Sequence, residues 1–256
     1  MFVRAPQLQA FRVAAELQFI DEMVAHFRRF TPPLYATLGD ERAEAAVRRG
    51  VARAVELGFT KRGPIRLFLE LEWLFGTGFD DDPQLPWAGE TLRDPALDDE
   101  MFRAGRLEKL CLGYLDEVHG PEGRNADAAL RRLEAEAPRW VYTESHWRSE
   151  VAEALATVFP EKASHIGPLG VERVLDRAEL RAAEVFGAQE LRGRCVLAIL
   201  MFSFGADCTR DPYYPWIGAT LTNPKNDDPG RRAEALERKA MWWLKAVNEG
   251  RRAAAS

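Results

Sequence analysis

The chain has 256 residues, 46% hydrophobic, 10% aromatic and 29% charged, with a formal net charge of −5. That apolar content excludes a disordered chain, and the acidic balance excludes a global basic field for nucleic acid. Three cysteines, Cys111, Cys195 and Cys208, are too few for a disulfide framework and lack zinc spacing, which points to a reducing compartment.

In chain order, Met1-Phe2-Val3-Arg4-Ala5-Pro6 lacks the basic and apolar regions of a signal peptide. A first amphipathic helix is predicted over Gln7 to Phe30. Asp40 can cap a second, running to Leu57, with Gly58 as its left-handed stop. Thr60 can open a third, Lys61 to Phe75, which Gly76 ends. A long Pro/Gly/Asp loop follows, and Asp98 or Asp99 caps a fourth helix through Val118. The segment His119 to Asn125 reads as a linker, with a short bridging helix over Ala126 to Glu136. Ser145 to Phe159 then repeats the leading helix, a helix after it ends at Phe186 before Gly187, and another ends at Gly205. The last helix starts at Asp227 or Asp228 and runs to about Asn248. The most apolar window, Cys195 to Phe204, is about half the ~20 residues that cross a bilayer, so it reads as a buried helix. No membrane association and a cytoplasmic location are expected.

The second half repeats the first at an offset of 129 residues. Phe75-Gly76 recurs as Phe204-Gly205, Asp82-Pro83 as Asp211-Pro212, and Pro86-Trp87 as Pro215-Trp216; Asp98-Asp99 recurs as Asp227-Asp228. The expected fold is therefore all-α, a tandem duplication of a roughly four-helix unit arranged as a pseudo-two-fold bundle. The units span 1–118 and 139–256, joined by 119–138.

Within the repeated loop, Gly76, Asp82, Pro83, Pro86 and Trp87, with Gly205, Asp211, Pro212, Pro215 and Trp216, are assigned a structural role. The glycines supply positive φ, the aspartates cap backbone N–H groups, and each proline steers a tryptophan into the core. Function is sought where the halves differ. Asp80-Asp81 stands opposite Thr209-Arg210, and Tyr213-Tyr214 opposite Gln84-Leu85. Asp80, Asp81, Tyr213, Tyr214 and Trp243 are the predicted partner-binding residues, on one asymmetric surface made by unequal loops. Glu70 and Glu72 read as paired structural acids, Glu70 with Arg66 and Glu72 with Arg53, Arg62 or a partner chain. His26, His119, His146 and His165 are too scattered for ligand spacing, and His26 reads as a helix-surface or helix-end residue. No nucleophile, phosphate loop or dinucleotide motif is present, and no catalytic residue, metal or cofactor is assigned. The arginine pairs Arg28-Arg29, Arg48-Arg49 and Arg231-Arg232 read as solvated faces, so no nucleic-acid partner is expected.

The first half resembles a group of small helical bacterial proteins encoded beside secreted-toxin and type VI secretion genes. The likeness rests on Gln7, on His26-Phe27-Arg28-Arg29-Phe30, on Gly50 through Gly58, and on Phe75-Gly76 through Asp82-Pro83 to Pro86-Trp87-Ala88. It implies a non-catalytic binding protein for a bacterial effector, toxin or secretion-tip protein, acting as an immunity protein or as an effector adaptor (chaperone). A divalent-metal enzyme carried by Glu70, Glu72, Asp80 and Asp82 is the alternative, and a homo-oligomeric scaffold the second.

Overall fold

A computed structural model describes the backbone of residues 5–254, so Met1 to Arg4, read above for a signal peptide, lie outside the described residues. The described residues form twelve α-helices and no strand, and none of these helices is long and apolar enough to cross a membrane. In the first half they are α1 (Ala5–Phe30), α2 (Pro32–Leu38), α3 (Asp40–Glu56), α4 (Arg62–Phe75), α5 (Pro86–Arg93) and α6 (Glu100–Tyr114). A π-type turn over Leu115–His119 leads to α7 (Arg124–Glu136). The second half holds α8 (Trp147–Val158), α9 (Pro160–Phe186), α10 (Leu191–Phe204), α11 (Pro215–Leu221) and α12 (Pro229–Ala254).

Local chemistry accounts for the ends. Asp99 is the N-cap of α6, accepting from Met101 N at 2.7 Å and Phe102 N at 3.0 Å. The start of α4 is capped from a distance: the Glu100 carboxylate accepts from Thr60 N at 2.6 Å, Lys61 N at 3.0 Å and the Thr60 hydroxyl at 2.8 Å. Desolvation works against its charge, yet these donors and Lys61 hold the carboxyl down at about 2. Asp40 is not a cap. It lies inside the first turn of α3, and its carboxylate accepts from the Tyr35 hydroxyl at 2.7 Å and from Arg28.

The Pro/Gly/Asp loop holds more order than its composition suggests. Pro86 and Pro215 stand at the start of α5 and α11, where a proline loses no hydrogen bond because the first helical N–H groups are unpaired anyway. α9 likewise breaks at Gly167, at φ 66°, just before Pro168. Each half thus has more than the four helices expected.

Two apolar cores result. One gathers Phe27, Phe59, Phe68, Leu69, Phe79 and Leu107 from the first half; the other gathers Val151, Leu155, Leu175, Leu197, Phe202 and Leu236 from the second. Side chains of this kind contribute roughly 1.5–3 kcal/mol each when fully buried. A smaller cluster, Leu133, Val158 and Leu244, docks α7 on the second half, reinforced by Asn248 Nδ2 donating to Leu130 O at 3.1 Å and Glu134 Oε2 at 2.8 Å. The helix starts keep the sequence offset: α4 and α10, α5 and α11, and α6 and α12 each begin 129 residues apart.

Candidate functional site

The two Asp-Pro loops are joined by reciprocal hydrogen bonds. Asp82 Oδ1 accepts its own Gln84 N at 2.9 Å, and Oδ2 reaches across to Ala206 N at 2.7 Å. Asp211 does the same in reverse, from Tyr213 N at 2.8 Å and Thr77 N at 2.8 Å. Gly76 and Gly205 have φ of 92° and 99°, conformations that favour glycine, and each lies against the other half's backbone. A Cβ on Gly76 would stand 3.0 Å from Phe204 O, and one on Gly205 would stand 2.8 Å from Phe75 O.

Each loop tryptophan completes an aromatic trio rather than a fully buried plug. Trp87 stands edge-on to Phe75 at 5.9 Å and 6.3 Å from Tyr114. Trp216 stands edge-on to Phe204 at 6.2 Å and 6.3 Å from Trp243. Both indoles are half-buried. Pro83, Pro212 and Pro215 are half-buried beside them, and Pro86 is exposed.

Between the trios lies a cleft of about 270 Å³. Its walls carry residues at matching positions of both halves: Phe75 and Phe204, Leu85 and Tyr214, Tyr114 and Trp243. Two of its polar groups do not match. Lys162 stands where the offset gives Pro33, and Gln84 where it gives Tyr213. Lys162 Nζ donates to Phe202 O at 2.5 Å and sits 4.9 Å from the Phe202 ring centre. Desolvation brings this ammonium down to about 8, against the pull of Asp82's charge. Gln84 is buried; its Nε2 donates to Asp82 and to Met201 O, while its Oε1 has no partner. His119 also lines the cleft, its imidazole held below the ordinary value chiefly by desolvation and further by Lys162.

A second cleft, about 600 Å³ and mostly apolar, opens between α7, α10 and α12. Leu133, Trp140, Val196, Ile199, Met241 and Leu244 are among its walls. The buried Cys195 thiol also lines it, pushed up to about 12 mainly by desolvation, so it is an inert apolar surface. Leu130, Ser203, Phe204 and Trp243 line both clefts, and α7 lies along both.

The partner-binding residues predicted from sequence do not share a surface. Asp80 is 1% exposed and ion-paired to Arg53 at 2.6 Å, because a buried carboxylate needs a charged partner. Tyr213 is 2% exposed and crosses into the first half's core, edge-on to Phe27 at 5.7 Å. Tyr214 and Trp243 are half-buried against Phe204, at 4.6 and 4.8 Å. Asp81 alone is well exposed, and it bridges Arg93 at 3.2 Å and Arg177 at 3.5 Å. Beside Trp243 on α12, its neighbour Trp242 faces outward, at 70% exposure.

The four carboxylates of the metal alternative are likewise dispersed. Glu70 pairs with Arg66 at 2.9 Å as expected, and also with His26 at 2.7 Å, a half-buried residue near the C-terminal end of α1. Asp80 and Asp82 are held as described above. Glu72 does not pair with Arg53 or Arg62, which turn to Asp80 and Glu22. Its Oε2 has no hydrogen-bond partner, and burial, then the charge of Asp211, pushes the carboxyl up to about 8. Among the described residues no group of three or more His, Cys, Asp and Glu side chains is placed to hold a metal ion. Sequence reasoning missed Lys162, Gln84 and His119; the usable signal for Lys162 was a charged residue standing opposite Pro33, whereas His119 stands opposite another polar residue, Asn248, and gave none. Comparison with known proteins finds no matching family model, no similar curated protein and no similar solved structure.

Proposed function

We propose that this chain is a non-catalytic, cytoplasmic binding protein for another bacterial protein, an effector or toxin, serving as its immunity protein or as a secretion adaptor. The supporting observation is the leading helix. The core residues of α1 begin at Phe19, and the described side chains from Gln7 to Gln18 are exposed, with Phe11 at 68%, Val13 at 45% and Leu17 at 44%. An isolated helical stretch of this length is marginal in water, and its apolar side chains gain most when covered by a second surface. This arm replaces the loop tips as the surface that meets the partner, and Asp81 is the one loop residue kept in that role.

Two further features belong to the same reading. The offset of 129 residues in sequence, matched by the helix starts and the reciprocal aspartate contacts, supports a tandem duplication in which the second unit braces the first. The identity of the partner as an effector or toxin rests on the resemblance of the first half. The test is capture by the full chain and by a Phe11→Asp/Leu17→Asp variant, with the captured protein identified and then assayed for toxicity with and without this chain. A single stoichiometric toxin or secretion-tip protein, lost from the variant, is the expected result. Equal capture by both, capture of nothing, or light scattering that shows the arm joining two copies of this chain overturns it.

A further inference from the structure

We propose that the two adjoining clefts form one binding site for a single-chain anionic amphiphile, a free long-chain carboxylate, with its head at Lys162 and its tail along α10. The argument begins with Lys162. Its ammonium has no ion-pair partner among the described residues, since the neighbouring Glu161 carboxylate faces Arg132 at 4.0 Å. Its single hydrogen bond goes to Phe202 O, which leaves two donor protons. A desolvated cation with no counter-ion is costly, and an incoming carboxylate removes that cost.

Asp82, the acid in the cleft whose charge acts on Lys162, does not compete for this position. Asp82 already accepts from Gln84 N, Gln84 Nε2 and Ala206 N, so its oxygens are committed to the loop. Tyr114 and His119 line the same cleft and offer further polar contacts to a carboxylate head.

The tail would cross from one cleft to the other at the walls they share. Ser203, Phe204 and Trp243 form the boundary shared by the polar and apolar clefts, and Leu130 of α7 lies over both. Beyond them the apolar cleft has about 600 Å³, within the range that holds small-molecule ligands. Its walls there are the side chains of Val196, Ile199, Met241 and Leu244, which suit methylene groups better than a polar ligand. In the first half the residue matching Ile199 is Glu70, so the offset does not give a second copy of this site. The site is therefore single, and it stands apart from the α1 arm.

The experiment is calorimetric titration of the purified full chain with dodecanoate, and with 1-dodecanol as the uncharged chain of equal length, both below micelle formation. Dodecanoate is expected to bind at one site and more tightly than the alcohol. Lys162→Met is expected to weaken dodecanoate by about tenfold or more while leaving the alcohol unchanged. Lys162→Arg should restore part of the loss, and Ile199→Trp should weaken both ligands by filling the tail cleft. Helical circular dichroism and Tm of each variant establish that it folds. Equal affinity for acid and alcohol, insensitivity to both the Lys162 and Ile199 substitutions, or no binding by the wild-type chain overturns the proposal.

Discussion

Asp82 and Asp211 exchange caps: each carboxylate closes its own Asp-Pro turn and also accepts a backbone N–H from the opposite half, Ala206 N at 2.7 Å for Asp82 and Thr77 N at 2.8 Å for Asp211. Both aspartates are buried. Removing either carboxylate strands donors away from water, so Asp82→Ala and Asp211→Ala should each cost about 1–3 kcal/mol in urea unfolding. Because both bonds hold the same junction, the double variant should depart from additivity by about 0.5 kcal/mol or more. Strict additivity would mean that the two loops are anchored independently.

The glycines beneath those aspartates fail for a different reason. Gly76 and Gly205 combine positive φ with a neighbouring carbonyl where a Cβ would be, at 3.0 and 2.8 Å. Gly76→Ala or Gly205→Ala should therefore lose about 2 kcal/mol or more, since the strain and the carbonyl contact both lie in the backbone, and at Gly76 a Cβ would also crowd the Asp211 carboxylate at 2.7 Å. Gly105, inside α6 with nothing within 4 Å of its Cβ position, provides the opposite case. Gly105→Ala should gain about 0.5–1 kcal/mol from helix propensity alone. A loss at Gly105 equal to that at Gly76 would refute the distinction.

Much of this architecture was legible because helix ends have local signatures. Asp99 caps, Gly58, Gly76, Gly187 and Gly205 stop, and α4 and α10, α5 and α11, and α6 and α12 start 129 residues apart, the offset at which the sequence motifs recur. α5 and α11 were not read, because a stretch rich in proline resembles a loop even when Pro86 and Pro215 sit at a helix start. The loop tips misled for a tertiary reason. Asp80 looks like a solvated turn residue until Arg53, 27 residues earlier, is brought to 2.6 Å. Its opposite number Thr209 accepts from Arg181 Nε at 3.0 Å, so unlike residues fill matching structural roles. The difference between halves that sequence reasoning took as a binding surface is thus partly a difference in how each loop is tied to its own unit.

The same two acids give a direct contrast under substitution. Asp80→Asn weakens a charge-assisted bond to a carboxylate that is 1% exposed, and should cost about 1.5–3 kcal/mol. Asp81→Asn changes a carboxylate 66% exposed, whose bridges to Arg93 and Arg177 are solvent-screened, and should stay within about 0.5 kcal/mol. Thermal unfolding of the two variants at neutral pH separates them. Equal costs would show that the burial of Asp80 does not matter to the fold.

Glu72 makes stability depend on pH in a direction opposite to that of an ordinary paired carboxylate. Burial raises its pKa from 4.5 to about 8, Asp211 and Asp80 add to the rise, and Arg49 and Arg53 oppose it. Between those two values the folded chain keeps a proton that the unfolded chain has released. Stability contributed in this way is complete below 4.5 and falls as pH climbs through about 8. Asp211, raised from 3.8 to about 6 by desolvation, acts in the same sense over the lower part of that range. The acidic limb belongs instead to Glu100, whose contribution is lost as pH falls from 4.5 through about 2. Glu72→Gln cannot ionise, so its Tm should match the wild type near pH 5, exceed it near pH 9, and vary less between them. Glu72→Met, the residue at the matching position 201, should show the same flattening without an amide to pair. Parallel Tm curves for wild type and both variants would mean that Glu72 is already charged in the folded chain at neutral pH.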